Sequence, residues 1–309
     1  MIKYYYKSLR AVGLEELAES RRGAWVHVEA PSEEELTEIQ ATFKLDAGLL
    51  EDALDEDEQP RLEKEDGITY VYVRFAYRKV NGDFDTAPLL LIPLAENLVT
   101  ITPRALPVLG QFIGGRKSFA TTQKAKLLLQ ILSSISDQYD VFISQTTRRI
   151  KGVRGRLKGH GITNQDFLDF VTIEDELNEF LSALQPNNAT LRRLLAGRHL
   201  PLHEEDQDLV EDLLLSNEQS IEGSRANLKS ITNIRDAYTA ISSNNLNRTI
   251  EVLTMITVAV QIPNLFYAMF GMNVHVPWQN EVRGFWVAII ISLVPLILLW
   301  VIAKKRRIL

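Results

Sequence analysis

Two stretches near the C-terminus limit what this chain can be. Residues 252–270 and 285–303 each run for 19 residues without Asp, Glu, Lys or Arg. At 1.5 Å per residue each makes a helix of roughly 28 Å, which matches a hydrocarbon core of about 30 Å. Two buried core helices are the alternative. Adjacent runs of full membrane length, with a basic stop directly after the second, favour spans. Lys304, Lys305, Arg306 and Arg307 form that stop, and Lys229, Arg235 and Arg248 precede the first run. The connecting residues 272–284 hold only Arg283, balanced by Glu281. Lysine and arginine stay on the cytosolic side. Both termini are therefore expected in the cytoplasm and the short loop outside, in an inner (plasma) membrane.

Charge is distributed unevenly. Residues 1–100 carry 21 Asp and Glu against 11 Lys and Arg, a net −10 in a chain of −6. The acids are densest at Glu51, Asp52, Asp55, Glu56, Asp57 and Glu58. Such a run is either a solvated face or a cytosolic cation-sensing surface. The absence of cysteine excludes disulfides, thiolate metal sites and cysteine nucleophiles. No signal-peptide pattern opens the chain, so the N-terminal part is expected in the cytosol.

Ahead of the spans the pattern is α/β followed by long helices. Residues 2–7, 24–29, 68–78, 88–94 and 98–102 are rich in aromatic and β-branched residues and read as strands. Ser32 followed by Glu35 is a capping-box signature for a helix through about Thr42, and Asn81-Gly82 marks a hairpin turn. From residue 120 the strand signals stop. Residues 120–158 and 164–196 read as antiparallel helices joined through Gly159-His160-Gly161. Residues 204–270 contain no proline except Pro263, with Gly223 the one weak point, and predict a single helix. The domain reading is an α/β domain at 1–119, a helix pair at 120–203, a stalk helix at 204–251 and a transmembrane segment at 252–309.

The first span carries polar residues at heptad spacing. Asn247, Thr254 and Gln261 are seven apart, and Ile250, Thr257 and Asn264 occupy the interleaved register. In a membrane such a stripe either bonds neighbouring helices or lines a watery path. Its near-full depth favours the path. The second span has only Ser292, plus Pro295, and reads as lipid-facing. No charged residue lies in the stripe within the span. A neutral ring of amides and hydroxyls can bond an ion's coordinated water without replacing it, which suits passage of a hydrated cation.

Gly271-Met272-Asn273 ends that span. The triplet, placed at the outer end of the penultimate span before a short loop and a basic tail, resembles the CorA magnesium transporter family. Leu253-Thr254, Ile262-Pro263, Tyr267 and Phe270 resemble the family's first span, and the α/β part, helix pair and stalk extend the resemblance over the whole chain. The resemblance implies a funnel-shaped homopentamer for potential-driven magnesium uptake, with cobalt and nickel as further cargo. Asn273 would form the selectivity ring, with Gly271 and Met272 holding the loop. Asn264 and Gln261 would face the pore below, Leu253 and Ile250 would make a hydrophobic constriction, and Asn247 would ring its cytosolic end. Glu281 would concentrate cations at the mouth. Magnesium between cytosolic domains would close the channel. Asp212 matches one such acidic position, whereas its partner position is Arg78, with Asp83, Asp85 or the 51–58 run as substitutes.

Other matches are weaker. Residues 110–118 nearly spell a phosphate loop, but Arg116 separates Gly115 from Lys117, so no ATP site is expected, and no nucleic-acid partner either. His199 and His203 flank Pro201 and read as loop histidines. Arg148, Arg149, Lys151, Arg154, Arg156 and Lys158 are either solvated or in contact with lipid headgroups. A zinc transporter on the same scaffold and a non-conducting membrane-tethered scaffold are the competing readings. No acid–base or nucleophile constellation suggests an enzyme.

Overall fold

The aromatic and β-branched runs of the first hundred residues all become strands. The computed structural model describes residues 1–11, 13–157, 163–196, 203–273, 275, 277, 278 and 281–305. Two compact units emerge, Met1–Asn233 and Ile234–Leu309. The first is built on a seven-stranded sheet in the order β2-β1-β3-β7-β6-β5-β4. Its strands are β1 Ile2–Tyr6, β2 Glu15–Leu17, β3 Trp25–Glu29, β4 Leu62–Glu65, β5 Ile68–Arg78, β6 Phe84–Pro93 and β7 Leu98–Thr102. Only the central β3–β7 pair is parallel. Sequence reading passes over β2 and β4 because Glu-Glu-Leu and Leu-Glu-Lys-Glu lack strand-forming composition. Both lie at the sheet's edges, where charged side chains are tolerated and discourage further pairing. Asn81-Gly82 does turn the chain between β5 and β6. Register resumes only at Arg78 opposite Phe84, so the connection is a longer loop than a two-residue turn, with Gly82 at φ +96°.

Helix α1 (Glu33–Phe43) starts with the expected reciprocal bonds between Ser32 and Glu35. The short α2 (Ala47–Asp52) has no periodic signature and is held by tertiary contacts. The Asp46 amide donates to the Tyr70 hydroxyl at 3.0 Å, and the Tyr72 hydroxyl donates to the Leu49 carbonyl. Ile39, Leu45 and Leu50 from this layer are buried with Val26, Val28, Tyr70, Tyr72, Leu90 and Ile101 of the sheet. Next come α3 (Leu109–Ile113), α4 (Lys124–Leu157) and α5 (Asn164–Leu195), and the last two pack on β5 and β6. The Gly159-His160-Gly161 turn, Lys158, His199, Pro201, Arg306 and Arg307 lie outside the described residues.

Arg74 on β5 ties this unit together. Its guanidinium donates to the Glu56 and Glu58 carbonyls at 2.7 and 2.9 Å and to the Thr86 hydroxyl and carbonyl at 2.8 and 3.1 Å. Glu179 of α5 lies 3.4 Å away. The Arg74 carbonyl accepts from Tyr139 of α4 and Asn187 of α5. A buried guanidinium is tolerated only with its donors met, and meeting them fixes the sheet, the acidic loop and both helices together.

The long helix appears as α6 (Glu204–Phe270), unbroken at Gly223, where an added Cβ would stand at an ordinary 3.6 Å from Ile143. Up to Asn233 it belongs to the first unit, bonded to α4 by a polar series. Ser136 donates to Asn217 at 2.8 Å, and Thr147 meets Asn227 at 2.9 Å. The second unit holds the remainder of α6 and α7 (Val282–Lys305), and both helices are long and apolar enough to span a bilayer.

His27 gives the first unit an acid sensitivity. The ring is 3% exposed, bonded through Nδ1 to the Thr100 hydroxyl at 2.9 Å, and Nε2 stands 3.6 Å from Glu29, beyond hydrogen-bond reach. Burial, aided by the positive charges of Lys3 and the N-terminus, pushes its pKa down to about 4. An unfolded histidine protonates near pH ~6.5. Between these values the unfolded chain binds the extra proton, so stability falls as pH drops through that window, by about 3 kcal/mol in all. Thermal unfolding of the detergent-solubilised protein from about pH 7 to about pH 4.5 is expected to show a smaller loss in His27→Gln than in wild type. Equal losses would contradict this.

Candidate functional site

The membrane half of α6 has two unlike faces. Val252, Met255, Ala259, Ile262, Phe266 and Phe270 are partly covered, at spacings of three and four. Asn247, Ile250, Thr254, Thr257, Gln261 and Asn264 follow the same spacing and are all exposed. At about 100° per residue the two sets lie on opposite sides of the helix. Leu253 is offset from the polar stripe and 62% exposed.

Helix α7 lies along the covered face. Val252, Met255 and Ala259 share an apolar cleft with Leu296, Leu299 and Trp300, and Tyr267 and Phe270 share another with Phe285, Ala288 and Ile289. Ser292, the one hydroxyl-bearing side chain of the second span, is 1% exposed. It donates to the Ile289 carbonyl at 2.8 Å and stands 3.5 Å from the Tyr267 hydroxyl. Ser292 thus faces α6, and α7 presents apolar residues elsewhere. Pro263 is accommodated within the helix. The polar stripe is what α7 leaves uncovered.

The threonines of the stripe have a defined donor state. Thr254 donates to the Ile250 carbonyl at 2.7 Å and Thr257 to the Leu253 carbonyl at 2.8 Å. With the hydroxyl hydrogen spent on its own helix, each oxygen offers lone pairs outward. The side-chain carbonyl oxygens of Asn247, Gln261 and Asn264 are acceptors of the same kind.

At the end of the stripe the helix tightens. Gly271 donates to the Tyr267 carbonyl at 3.0 Å and Met272 to the Met269 carbonyl at 3.4 Å. A Cβ at Gly271 would stand 3.3 Å from the Tyr267 carbonyl oxygen, a tight approach. Met272 and Asn273 are exposed. Trp278, at φ +64°, turns the loop into α7, and its carbonyl accepts from the Glu281 amide at 3.1 Å. Glu281 lines the cleft with Gly271 and Trp278. Gly284 was not singled out by sequence reading, yet a Cβ there would fall 2.4 Å from the Trp278 carbonyl oxygen. A glycine directly ahead of the apolar run 285–303 is the available signal. Lys304 and Lys305 end α7, with the Lys304 ammonium 5.1 Å from the Trp300 ring centre.

The candidate regulatory acids sit in the first unit. Asp85 pairs with Lys79 at 2.6 Å. Burial raises its pKa, but the Lys79 bond and the Thr86 amide outweigh that and leave it below the usual carboxylate range. Asp83 accepts from Asn81 at 2.7 Å, and Asp212 is exposed on α6. Arg78 donates to Gln145 at 2.5 Å. Within the 51–58 run, Asp52 and Glu58 pair with Arg61, and Glu56 pairs with Arg104. Among the described residues no group of three or more His, Asp or Glu forms a metal array within one chain. The near phosphate loop is spent on structure, since Lys117 bonds Ser134 at 2.7 Å and Asp137 at 3.3 Å.

An α/β unit, a long helix and two C-terminal helices long and apolar enough to cross a bilayer, the first with a polar stripe, make the arrangement of a two-span membrane protein. The family model described as CorA-like Mg2+ transporter protein matches residues 20–306. The chain belongs to the CorA-like Mg2+ transporter family. It is 24% identical over 296 residues to the cobalt/magnesium transport protein CorA of Methanocaldococcus jannaschii, covering 93% of this chain and 92% of that one. The complete structure of the CorA magnesium transporter from that organism superposes with a TM-score of 0.88 at 20% identity, covering 99% and 98% of the two chains. The ZntB cytoplasmic domain from Vibrio parahaemolyticus shares the fold at a TM-score of 0.65 and 10% identity, over 78% of this chain and 98% of that one.

The Gly284 contact is testable by itself. Gly284→Ala is expected to destabilise the protein by about 1–3 kcal/mol through overpacking, read as a lowered Tm in detergent. An unchanged Tm would show that the Trp278 turn is not held there.

Proposed function

We propose that this chain assembles as a homopentameric channel carrying hydrated magnesium inward down the membrane potential, with cobalt and nickel as further cargo. The observation that supports this best is the uncovered stripe of acceptors opposite α7. Waters bound to magnesium are hydrogen-bond donors and leave the ion slowly. Outward-facing threonine oxygens and amide carbonyls can accept from that hydration shell without replacing it. Residues 252–270 contain no carboxylate to strip the shell away. Five copies of α6 would enclose the stripe, with Asn273 as the outer ring and Ile250 and Leu253 as the apolar constriction that stops ions by dewetting. Each divalent ion gains about 4.6 kcal/mol per 100 mV of inside-negative potential, so no ATP is needed.

Closure by internal magnesium would need carboxylates from more than one copy. Asp212 and Asp83 are available for that, while Asp85 is held by Lys79. Zinc as cargo is less well matched, because zinc favours imidazole and thiolate ligands and the stripe has neither.

Dye-reported uptake into proteoliposomes under an inside-negative potential tests the proposal. Magnesium entry is expected in wild type and at least tenfold weaker in Asn273→Ala, and millimolar internal magnesium should slow the wild type but not an Asp83→Asn/Asp212→Asn variant. Proton-coupled zinc entry without magnesium entry would replace this reading with the zinc one. Absence of any flux would leave a membrane-tethered scaffold.

A further inference from the structure

The two clefts between α6 and α7 differ in what stands at their ends. The one beside the connecting loop has Glu281 on its wall. The other, at the opposite end of the helix pair, is a gap of about 200 Å³ walled by Val252, Met255 and Ala259 of α6 and Leu296, Leu299 and Trp300 of α7. No side chain that lines it carries an oxygen. Ile256 also lines it, and Ile256 and Trp300 are 56% and 55% exposed, so the cleft is open to its surroundings rather than sealed.

Two cations stand at the end of this cleft away from the loop. Arg248 precedes Val252 by one helical turn and so shares its face of α6. Lys304 follows Trp300 by one turn, and its ammonium lies 5.1 Å from the centre of that ring. Both are exposed, and neither has a carboxylate within ion-pair distance among the described residues. Arg248 lies about 6 Å outside the uncharged run 252–270, and Lys304 directly follows the run 285–303. The headgroup layer on each side of a bilayer is about 5–7 Å deep. The two cations therefore sit at headgroup depth when those runs occupy the hydrocarbon, and the cleft from Val252 to Ala259 reaches about 10 Å into the core beneath them.

Positive flanks orient spans, which accounts for cations anywhere around these helix ends. It does not account for an open apolar cleft running inward from them, whose walls forfeit dispersion contacts while unfilled. A helix of a second copy is the competing occupant. It could fill the apolar part, but between residues 237 and 309 the acids are Glu251 and Glu281 alone, against Arg248, Lys304, Lys305, Arg306 and Arg307 at the cleft's end of the pair. Glu251 also lies about 100° around α6 from Val252, off the cleft face. A single anionic phospholipid matches both parts, with an acyl chain for the cleft and a phosphate for the cations.

We propose that the α6–α7 cleft binds an anionic phospholipid, its phosphate held by Arg248 and Lys304 and one acyl chain lying along Met255, Ala259 and Leu296. The site is independent of the ion carried. Native mass spectrometry of the full-length protein, in detergent doped with phosphatidylglycerol or phosphatidylcholine, reads bound lipid per chain directly. Phosphatidylglycerol is expected to stay bound and phosphatidylcholine to be lost. Arg248→Gln and Lys304→Gln should each raise the phosphatidylglycerol level needed for half-occupancy roughly fivefold. Lys305→Gln, which removes an equal charge about 140° around α7 from Trp300, should leave that level unchanged. Ala259→Leu, which fills the cleft and keeps every cation, should expel the lipid without lowering Tm. Equal retention of the two lipids would overturn the proposal. So would retention that survives Ala259→Leu, which would reduce the binding to headgroup charge alone, or a wild-type protein that holds no lipid, which would leave the cleft to a second copy.

Discussion

Hydrocarbon offers nothing to a polar side chain, so each amide or hydroxyl at membrane depth needs a helix or water beside it. That constraint organises the second unit. The second span has one hydroxyl-bearing side chain, Ser292, and it is buried against α6 and satisfied by its own helix. The first span carries a full-depth stripe, and α7 packs on the opposite side. Helix pairing within the chain therefore does not consume the stripe. Its groups need other copies or water, and both needs are met if the copies surround a watery path.

The first unit answers a different constraint, the burial of charge. Arg74 is 4% exposed and reaches the acidic loop, β6, α4 and α5 through its side chain and carbonyl. A continuous helix then links this unit to the next. The contact between α4 and the first part of α6 includes hydroxyl–amide bonds, Ser136 with Asn217 and Thr147 with Asn227.

Long, strongly patterned elements are legible in the sequence. The 67-residue α6 begins and ends where its composition indicates, and the Ser32–Glu35 cap forms as read. The heptad stripe was visible as spacing, but which face α7 would cover was not, because that depends on packing between helices. Short elements escaped for related reasons. Strands β2 and β4 are charged edges, and α2 is held by the Tyr70 and Tyr72 hydroxyls of β5 rather than by a pattern of its own. The role of Gly284 depends on a backbone carbonyl six residues away, which no local pattern encodes. Among the acids, composition leaves the run at 51–58 as either a solvated face or a cation-sensing surface, and in the fold Asp52 and Glu58 pair with Arg61 and Glu56 with Arg104.

The central claim is that the stripe faces water and the opposite face does not. A chain without cysteine permits single-cysteine scanning through the first span, using a charged, membrane-impermeant thiol reagent on the protein in proteoliposomes. Reaction is expected at Thr254→Cys, Thr257→Cys, Gln261→Cys and Asn264→Cys, slowed by magnesium, with Val252→Cys, Met255→Cys, Ala259→Cys and Ile262→Cys silent. Reaction on the α7-facing set, or on neither, would contradict the account.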